Sequence, residues 1–206
     1  MAGSIADFKS SFKTDLARPN RFDVQIPIPL GISYYVSSSR LLKLRCENAE
    51  LPGRNISTTA LKVYNIEEKF PYQTTYNDIN LTFIVGDDMS EKKLFDAWLE
   101  WINPTYDYNF KYKSDYASLI RINQYDVKNE LTYSVDLLDA YPIAVNQLDL
   151  DWSNDGYHKL NVTFTYTQWK NYSIEAMAQE LSSQNLLRTN GTLSADLRPG
   201  PETTAY

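Results

Sequence analysis

The amino-acid sequence predicts a mainly β protein, an antiparallel β-sandwich or barrel with one flanking α-helix. Aromatic residues make up 14% of the 206 residues whereas glycine occurs only 7 times, which favours strands and large contact surfaces over glycine-rich phosphate loops. Apolar and polar residues also alternate over several short segments, as they do in half-buried strands. The length suits one β domain that buries a sizeable core.

Periodicity predicts the first elements. Residues 1–17 carry apolar residues at helical spacing and are predicted as a short helix or an adhesive arm. Alternation over 22–28 predicts a strand whose two prolines place it at a sheet edge or end it early. Residues 29–39 are predicted as a loop, and alternation over 42–51 predicts the second strand. The apolar residues of the arm are Ile5, Phe8, Phe12 and Leu16.

The centre of the chain combines a long polar segment with the clearest helix. The segment near 53–77 is too long to be filler and holds one possible strand at 61–70. Alternation predicts a further strand over 79–85, after which a helix runs to the Asn-Pro pair at 103–104. The N-cap candidates of this helix are Asp87, Asp88 and Ser90, and its apolar face consists of Leu94, Phe95, Trp98, Leu99 and Ile102.

Two hairpins are predicted in the second half of the chain. The Tyr-rich tract at 106–116 lacks periodicity and is predicted as a loop that serves a protein interface rather than a sugar site. The strands 119–125 and 131–138 form the first hairpin, and 147–152 with 160–166 form the second. The tryptophans predicted in the core are Trp98 and Trp152, and the one predicted to face a partner is Trp101.

Charge and cysteine content exclude several classes of function. The net charge of −6 and the pI near 4.9 have the wrong sign for a protein that grips nucleic acid through its phosphates. Residues 1–60 hold eight basic and five acidic residues and the rest hold twelve and twenty-one, either without consequence or because identical subunits meet head to tail. One cysteine allows no disulfide framework, and no apolar run of about 18 residues could span a membrane. The sequence predicts a soluble protein made in a reducing cytoplasm.

Candidate catalytic residues are few. His158 is the only histidine and lies at a predicted turn, so a catalytic triad or a histidine metal site has little material. Cys46 is predicted as a buried, inert thiol. Asp149 and Asp151 project from one face of a predicted strand, which a glycosidase or a metal site could use, but a solvated acidic face is the favoured interpretation. The sequence therefore predicts no enzyme, no catalytic residue, no metal and no cofactor.

Five segments of the chain resemble the tail tube proteins of contractile-tailed bacteriophages and, with them, the related tubes of secretion systems and pyocins. Their common order and spacing over residues 16–170 carry the resemblance. The segments are ARPNRFDVQI at 17–26, LRCENAELPGRNI at 44–56, FDAWLEW at 95–101, IRINQYD at 120–126 and AVNQLDLDWSNDGYHKLNVTFTYTQW at 144–169.

The resemblance implies a structural protein of the virion tail. Six subunits would close into a ring, and stacked rings would form the inner tube of a contractile tail, assembled in the host bacterial cytoplasm without membrane insertion by this chain. DNA would pass through the lumen without specific binding, and Asp149 and Asp151 are candidates for an acidic lining that repels it. The implied partners are further copies of the chain, the tail sheath protein, the tape-measure protein, baseplate tube-initiating proteins and the tail terminator.

The resemblance also divides the chain. It implies an N-terminal arm at 1–17 and a tail-tube β-sandwich domain at 18–172, with an inter-ring excursion near 53–77. Residues 173–206, which lie beyond the resemblance, are predicted as a C-terminal helix and an extended tail. The residues implied at inter-subunit and inter-ring contacts are Arg18, Pro19, Asn20, Leu51, Pro52, Gly53, Arg54, Tyr64, Tyr72 and Tyr76.

Two alternatives are compatible with the same sequence features. A tube initiator or baseplate adaptor with the same fold would form one ring or a short stack on other proteins. A monomeric carbohydrate-binding β-sandwich, which is less favoured, would stack its tyrosines on sugars. Polymerisation into long hollow tubes would distinguish the tail tube protein from both.

Overall fold

A computed structural model of the chain describes residues 16–63, 66–153 and 155–171 together with positions 5, 8 and 10. Positions 5, 8 and 10 have helical backbone, in agreement with the helix expected in the N-terminal arm, while Phe12 lies outside the described residues. The C-terminal helix and tail expected at 173–206 also lie outside them. Among the residues described, no helix combines the length and the apolar character needed to cross a membrane.

These residues form strands and helices in the following order along the chain. The helical elements are a 3₁₀ helix at Leu30–Tyr35, α1 at Val36–Arg45, α2 at Ser90–Ile102 and α3 at Lys113–Tyr116. The strands are β1 Phe22–Gln25, β2 Cys46–Ala49, β3 Asn55–Val63, β4 Ile66–Thr75, β5 Ile79–Ile84, β6 Ser118–Tyr125, β7 Leu131–Val145, β8 Lys159–Thr165 and β9 Gln168–Lys170.

Antiparallel pairing joins most strands into one path, in the order β1-β6-β7-β8-β5-β2, with β9 added to β7. Strands β3 and β4 pair with each other as a separate two-stranded sheet. The mainly β, antiparallel fold with a flanking helix is therefore confirmed. The strand predicted over 22–28 is β1, which lies at the edge of the path and ends before Pro27, as its prolines indicated.

Strand β7 belongs to two sheet layers. Its residues 131–140 pair with β6, and its residues 141–145 pair with β8. Where the partner changes, Asp139 has a left-handed φ of 54° and the register with β6 shifts. Irregularities of this kind bend a strand and allow it to turn a corner between two sheets. The long strand thus links the layer of β1, β6 and β9 to the layer of β8, β5 and β2.

The core lies where the two layers meet α2. Trp98 of α2 is fully buried, and its ring lies 6.3 Å from that of Phe164 on β8 in an edge-on arrangement. Phe95, one turn earlier, lies 5.3 Å from the ring of Phe83 on β5. Alternate residues of β5 and β8 are buried, so both strands present an apolar face to the helix. The predicted helix and the core position of Trp98 are confirmed.

The start of α2 differs from the prediction. Its N-cap is Met89, with a φ of 53°, rather than any of the three predicted capping residues, and the Met89 side chain forms no capping hydrogen bond. The buried carboxylate of Glu91 serves the helix start instead, accepting hydrogen bonds from Arg45 and, at 3.0 Å, from the Gly86 backbone N–H. A carboxylate at a helix N-terminus is favoured by the helix dipole. This contact also ties α2 to the end of α1.

The loop predicted at 29–39 and the beginning of the strand predicted at 42–51 are wrong, because both are helical. They form the 3₁₀ helix and α1, and strand β2 follows. The alternating leucines suit a helix equally well, with Leu42 buried and Leu44 72% exposed. Within α1 only Ser38 and Leu42 are buried, which is too few for helical periodicity to stand out in the sequence.

The hairpin predicted from 147–152 and 160–166 is also wrong. Its second segment is β8, but its first lies in a loop, and the place beside β8 is occupied by residues 141–145 of β7. Trp152, predicted in the core, is 107% exposed. Within 147–152, Leu148 packs half-buried against the core, whereas Leu150 and Trp152 are exposed.

The other predictions for the second half are largely confirmed. Strands β6 and β7 form the first predicted hairpin, and the tract 106–116 is a loop that ends in the single turn of α3. Trp101 is half-buried rather than fully exposed to a partner. Its ring packs on Gly31, where a Cβ atom would lie 2.0 Å from the indole, so this approach requires glycine.

Candidate assembly interface

Most side chains of the hairpin formed by β3 and β4 are exposed. Thr59 pairs with Phe70, and Leu61 pairs with Glu68, so these residues share one face of the hairpin. The other face carries the pairs Lys62 with Glu67 and Ala60 with Lys69. The exposed apolar side chains of the first face are Leu61, Ile66 and Phe70.

This hairpin is not stabilised by a third strand. Within the described residues, β3 and β4 pair only with each other, and most of their side chains are exposed. An isolated two-stranded hairpin is at best marginally stable in water. The one strand predicted at 61–70 is therefore corrected to two, and a hairpin of 9 and 10 residues with an open apolar face is an element that another chain can complete.

The base of the hairpin holds most of the residues that the resemblance implied. Leu51 and Arg54 are exposed, Pro52 is half-buried, and the Gly53 carbonyl accepts a hydrogen bond from the Trp169 indole at 3.1 Å. Tyr72 is exposed where the register of β4 shifts. Tyr76 is half-buried, with its ring 6.1 Å from that of Tyr166. Tyr64 lies outside the described residues.

The segment from Arg18 to Asn20 lies beside the C-terminal end of β6. All three side chains are exposed. The Arg18 carbonyl accepts a hydrogen bond from the Gln124 side chain at 2.7 Å, which holds the segment beside β6. The implied contact residues therefore form two groups, one at the hairpin and one at the entry to β1.

Asp149 and Asp151 lie in the loop between β7 and β8, which we define as the β7–β8 loop, residues 146–153 and 155–158. Both aspartates are exposed. The Asp151 carboxylate accepts hydrogen bonds from the Ser153 backbone N–H and hydroxyl at 3.0 and 2.9 Å, and these bonds lower the pKa of Asp151. Leu150, between the two aspartates, and Trp152, which follows them, are almost fully exposed beside a cavity of about 310 Å³ that Tyr157 and His158 help to line.

A third exposed group follows α2. Tyr106, Tyr108, Phe110 and Tyr112 occupy every second position of the loop, and all four rings are exposed. The Lys111 ammonium lies 4.9 Å from the centre of the Trp101 ring, within cation–π range. Exposed aromatic rings in this number are typical of protein interfaces.

Of the residues considered for catalysis, Asp149, Asp151 and His158 line the same cavity, whereas Cys46 lies on β2. Burial raises the pKa of Cys46 to about 12, so its thiol stays protonated at neutral pH, in agreement with an inert packing role. The His158 carbonyl accepts a hydrogen bond from the Val85 N–H at 3.1 Å. Across the described ranges, no group of three or more His, Cys, Asp or Glu side chains is placed to hold a metal ion.

Sequence reasoning identified part of these surfaces. The unusual length of the 53–77 segment indicated a functional excursion, although its two-stranded form was not predicted. The exposure of Leu150 and Trp152 was missed, because alternation looks the same for a strand that packs on a core and for a loop whose apolar side chains are exposed. The signal available in the sequence was the length of the preceding strand, β7, whose last residues can pair with β8 themselves.

Comparison with known proteins gives a family and a fold. The sequence profile of the family described as phage tail tube protein matches residues 17–172. The fold is similar to chains in cryo-EM structures of an extracellular contractile injection system, PVC, and of the anti-feeding prophage. No curated protein matches the chain in sequence.

Three of these structures are similar to this chain over most of its length. A chain of the PVC sheath–tube complex in the extended state has a TM-score of 0.57 and 15% identity, covering 82% of this chain and 98% of that one. A chain of the PVC sheath/tube terminator in the extended state has a TM-score of 0.55 and 16% identity, covering 77% of this chain and 98% of that one. A chain of the six-fold symmetrised anti-feeding prophage baseplate has a TM-score of 0.57 and 13% identity, covering 77% of this chain and 96% of that one. The TM-scores show a shared fold, and at identities this low they show the fold alone.

Proposed function

Because this chain belongs to the phage tail tube protein family, we propose that it is the structural subunit whose six-membered rings stack into the inner tube of a contractile phage tail. The observation that carries the proposal is the β3–β4 hairpin, which has an apolar face that its own chain leaves exposed. A subunit that must join the next ring needs such an element. The hairpin is assigned to contacts between rings.

Contacts within a ring are assigned to the sheet edges. Strands β1 and β2 end the hydrogen-bonded path, so each offers backbone N–H and C=O groups to a neighbouring subunit. Closure of a ring satisfies both edges, whereas an open edge invites disordered aggregation. The exposed residues Arg18, Pro19 and Asn20 lie shortly before β1 and are proposed to contact the same neighbour.

The tube is proposed as a conduit for DNA and as the inner part of a larger tail. A net charge of −6 per chain supports transit without binding, because phosphate contacts by lysine and arginine would hold the DNA. The proposed partners are the sheath, the tape-measure protein, baseplate tube-initiating proteins and the terminator. The proposed location is the virion tail, after assembly in the host cytoplasm.

Negative-stain microscopy of the purified protein at rising concentration, beside light scattering, tests the proposal. The wild-type chain should form hollow tubes with six-fold end views. Leu61→Asp should abolish them, because a charge would be buried on the apolar face of the hairpin. Ala60→Asp, one residue away on the opposite face, is the matched control and should still form tubes. A wild-type protein that stays monomeric even when baseplate components are added would overturn the proposal.

A second candidate function is the tube initiator or terminator. It is favoured by the equal similarity of the fold to chains of a terminator and of a baseplate, with TM-scores of 0.55 and 0.57. The same microscopy separates the two candidates. A main tube protein should give tubes whose length grows with concentration, whereas an initiator or terminator should stop at one ring or a short stack.

A further inference from the structure

We propose that the β3–β4 hairpin of one subunit docks onto the β7–β8 loop of a second copy in the next ring. This inference rests on the proposed function, and it names the surface that receives the hairpin. The receiving surface consists of Leu150, Trp152 and Tyr157, with Asp149, Asp151 and Asp155 around them.

The first argument is the position of the two elements on the sheet. The hairpin leads into Ile79, the first residue of β5, which pairs with Phe164 near the end of β8. The β7–β8 loop leads into Lys159, the first residue of β8, which pairs with Ile84 at the end of β5. Because β5 and β8 are antiparallel, the hairpin and the loop leave the sheet at opposite ends, about 20 Å apart for a strand of 6 residues.

Opposite ends are what a directional stack needs. A contact that uses two different surfaces of the same chain is heterologous, and it repeats without limit when the two surfaces face in opposite directions. If the hairpin and the loop lay at the same end, one subunit could not use both along a single axis. The placement therefore fits a tube built by adding identical rings.

The second argument is the chemistry of the two surfaces. The loop exposes Leu150 at 86% and Trp152 at 107%, and the hairpin exposes Ile66 at 73%. A fully exposed tryptophan stabilises nothing in its own chain, and tryptophan is the residue type most enriched at energetic centres of interfaces. The open apolar face of the hairpin provides a surface of the same character.

Lysines of the hairpin lie within its length beside the proposed contact. The described part of the loop carries Asp149, Asp151 and Asp155 and no lysine or arginine, whereas the hairpin carries Lys62, Glu67 and Lys69 on its charged face and Glu68 beside Leu61 on its apolar face. The long stems of lysine can lie along apolar surface while the ammonium reaches a carboxylate. Asp151 is already oriented by its bonds to Ser153. The inference assigns Asp149 and Asp151 to the junction between rings.

Cysteine cross-linking between two variants tests the contact directly. Glu67→Cys marks the hairpin and Asp155→Cys marks the loop, and neither change removes an apolar contact residue. The two proteins are mixed, assembled and treated with a short bismaleimide, and a covalent dimer is expected only when both cysteines are present. Cys46 gives little background because its pKa of about 12 keeps it unreactive, and the wild-type protein measures what remains. Glu100→Cys, exposed on α2, replaces Asp155→Cys as the reference and should give no dimer.

A second measurement does not depend on the reagent. Trp152→Asp should raise the protein concentration needed for tube formation by at least about tenfold, while Tyr34→Asp, at a ring that is 89% exposed on the 3₁₀ helix, should leave it unchanged. Tubes that form at the wild-type concentration in Trp152→Asp, or that give no dimer between the marked cysteines, would overturn this inference and leave the tube function standing. A wild-type chain that never forms tubes would overturn both.

Discussion

Two antiparallel strand pairs in this molecule, β5–β8 and β3–β4, differ in how far their side chains are buried. In β5–β8 every second side chain is buried, including Leu81, Phe83, Val162 and Phe164. In β3–β4 both faces are largely exposed. The helix α2 covers the first pair, whereas nothing in the described structure covers the second. The first pair stabilises the subunit, and the second is available to stabilise an assembly.

The largest effect on the first pair should come from Trp98. Trp98→Ala empties the space between α2 and β8 and should lower the free energy of unfolding of the monomer by about 3–5 kcal/mol. Chemical denaturation measured by tryptophan-independent far-UV circular dichroism checks this. Trp152→Ala is the matched control, and it should leave monomer stability unchanged because Trp152 contacts solvent. Equal losses in the two variants would contradict the division into core and assembly surfaces.

A smaller loss is expected where α1 meets α2. Arg45→Met leaves the Glu91 carboxylate buried without its charged partner and should cost about 2 kcal/mol, less than for a fully buried pair because Arg45 is one-third exposed. Lys92→Met, which removes an exposed i,i+4 ion pair with Asp96 on the same helix, should cost about 0.5 kcal/mol or less. Thermal denaturation of both variants would show the contrast, and similar values would mean that Glu91 is solvated.

The free energy of unfolding is expected to depend on pH through Asp23 of β1. Burial raises the pKa of Asp23, but hydrogen bonds from neighbouring side chains outweigh it, so the pKa lies below its ordinary value of 3.8. A lowered folded pKa means that Asp23 stabilises the fold above pH 3.8 and that this stabilisation is lost as the pH falls further. The hydrogen-bond donors to Asp23 are Lys43, Asn123 and Tyr125.

The measurement is the free energy of unfolding in acid. Wild type should lose stability more steeply than Asp23→Asn between about pH 4 and about pH 2. Asp149→Asn, at an exposed loop carboxylate, should follow the wild-type curve and serves as the control. Parallel curves for wild type and Asp23→Asn would show that the hydrogen bonds to Asp23 contribute nothing to stability.

The smallest effect on monomer stability is expected in the hairpin. Leu61→Asp should change the free energy of unfolding of the monomer by less than about 0.5 kcal/mol, because Leu61 is exposed, although the same variant should lose tube formation. Denaturation below the concentration of assembly measures the first effect and microscopy the second. A monomer destabilised by more than about 1 kcal/mol would mean that the hairpin packs on its own subunit.

Sequence reasoning predicted the parts of the fold in which periodicity reports burial. Alternation in β5, β6 and β8 and the apolar stripe of α2 match the side chains that reach the core. It failed for α1, where Leu42 alone among the leucines is buried, and for 147–152, where Leu148 packs on the core but Leu150 and Trp152 are exposed. Which strand lies beside β8 depends on the length of β7, and no local pattern reports that.

For the candidate interface, the sequence indicated that residues 53–77 are functional but not how they pair. Their register depends on hydrogen bonds between two strands that no buried face selects, so either face is compatible with the pattern. Among the contact residues implied by the resemblance, Arg18, Leu51 and Tyr72 are exposed. Sequence periodicity reports burial within one chain, so a surface that is buried only by a second chain produces no such pattern.

The passage of β7 through both layers has a mechanical consequence. Its 15 residues extend over about 50 Å, and the backbone is continuous through the bend at Asp139. A force applied to one layer therefore reaches the other through covalent bonds rather than through side-chain contacts. The layers cannot slide past each other unless the hydrogen bonds to β6 or to β8 break as a row, so the subunit resists shear along its longest strand.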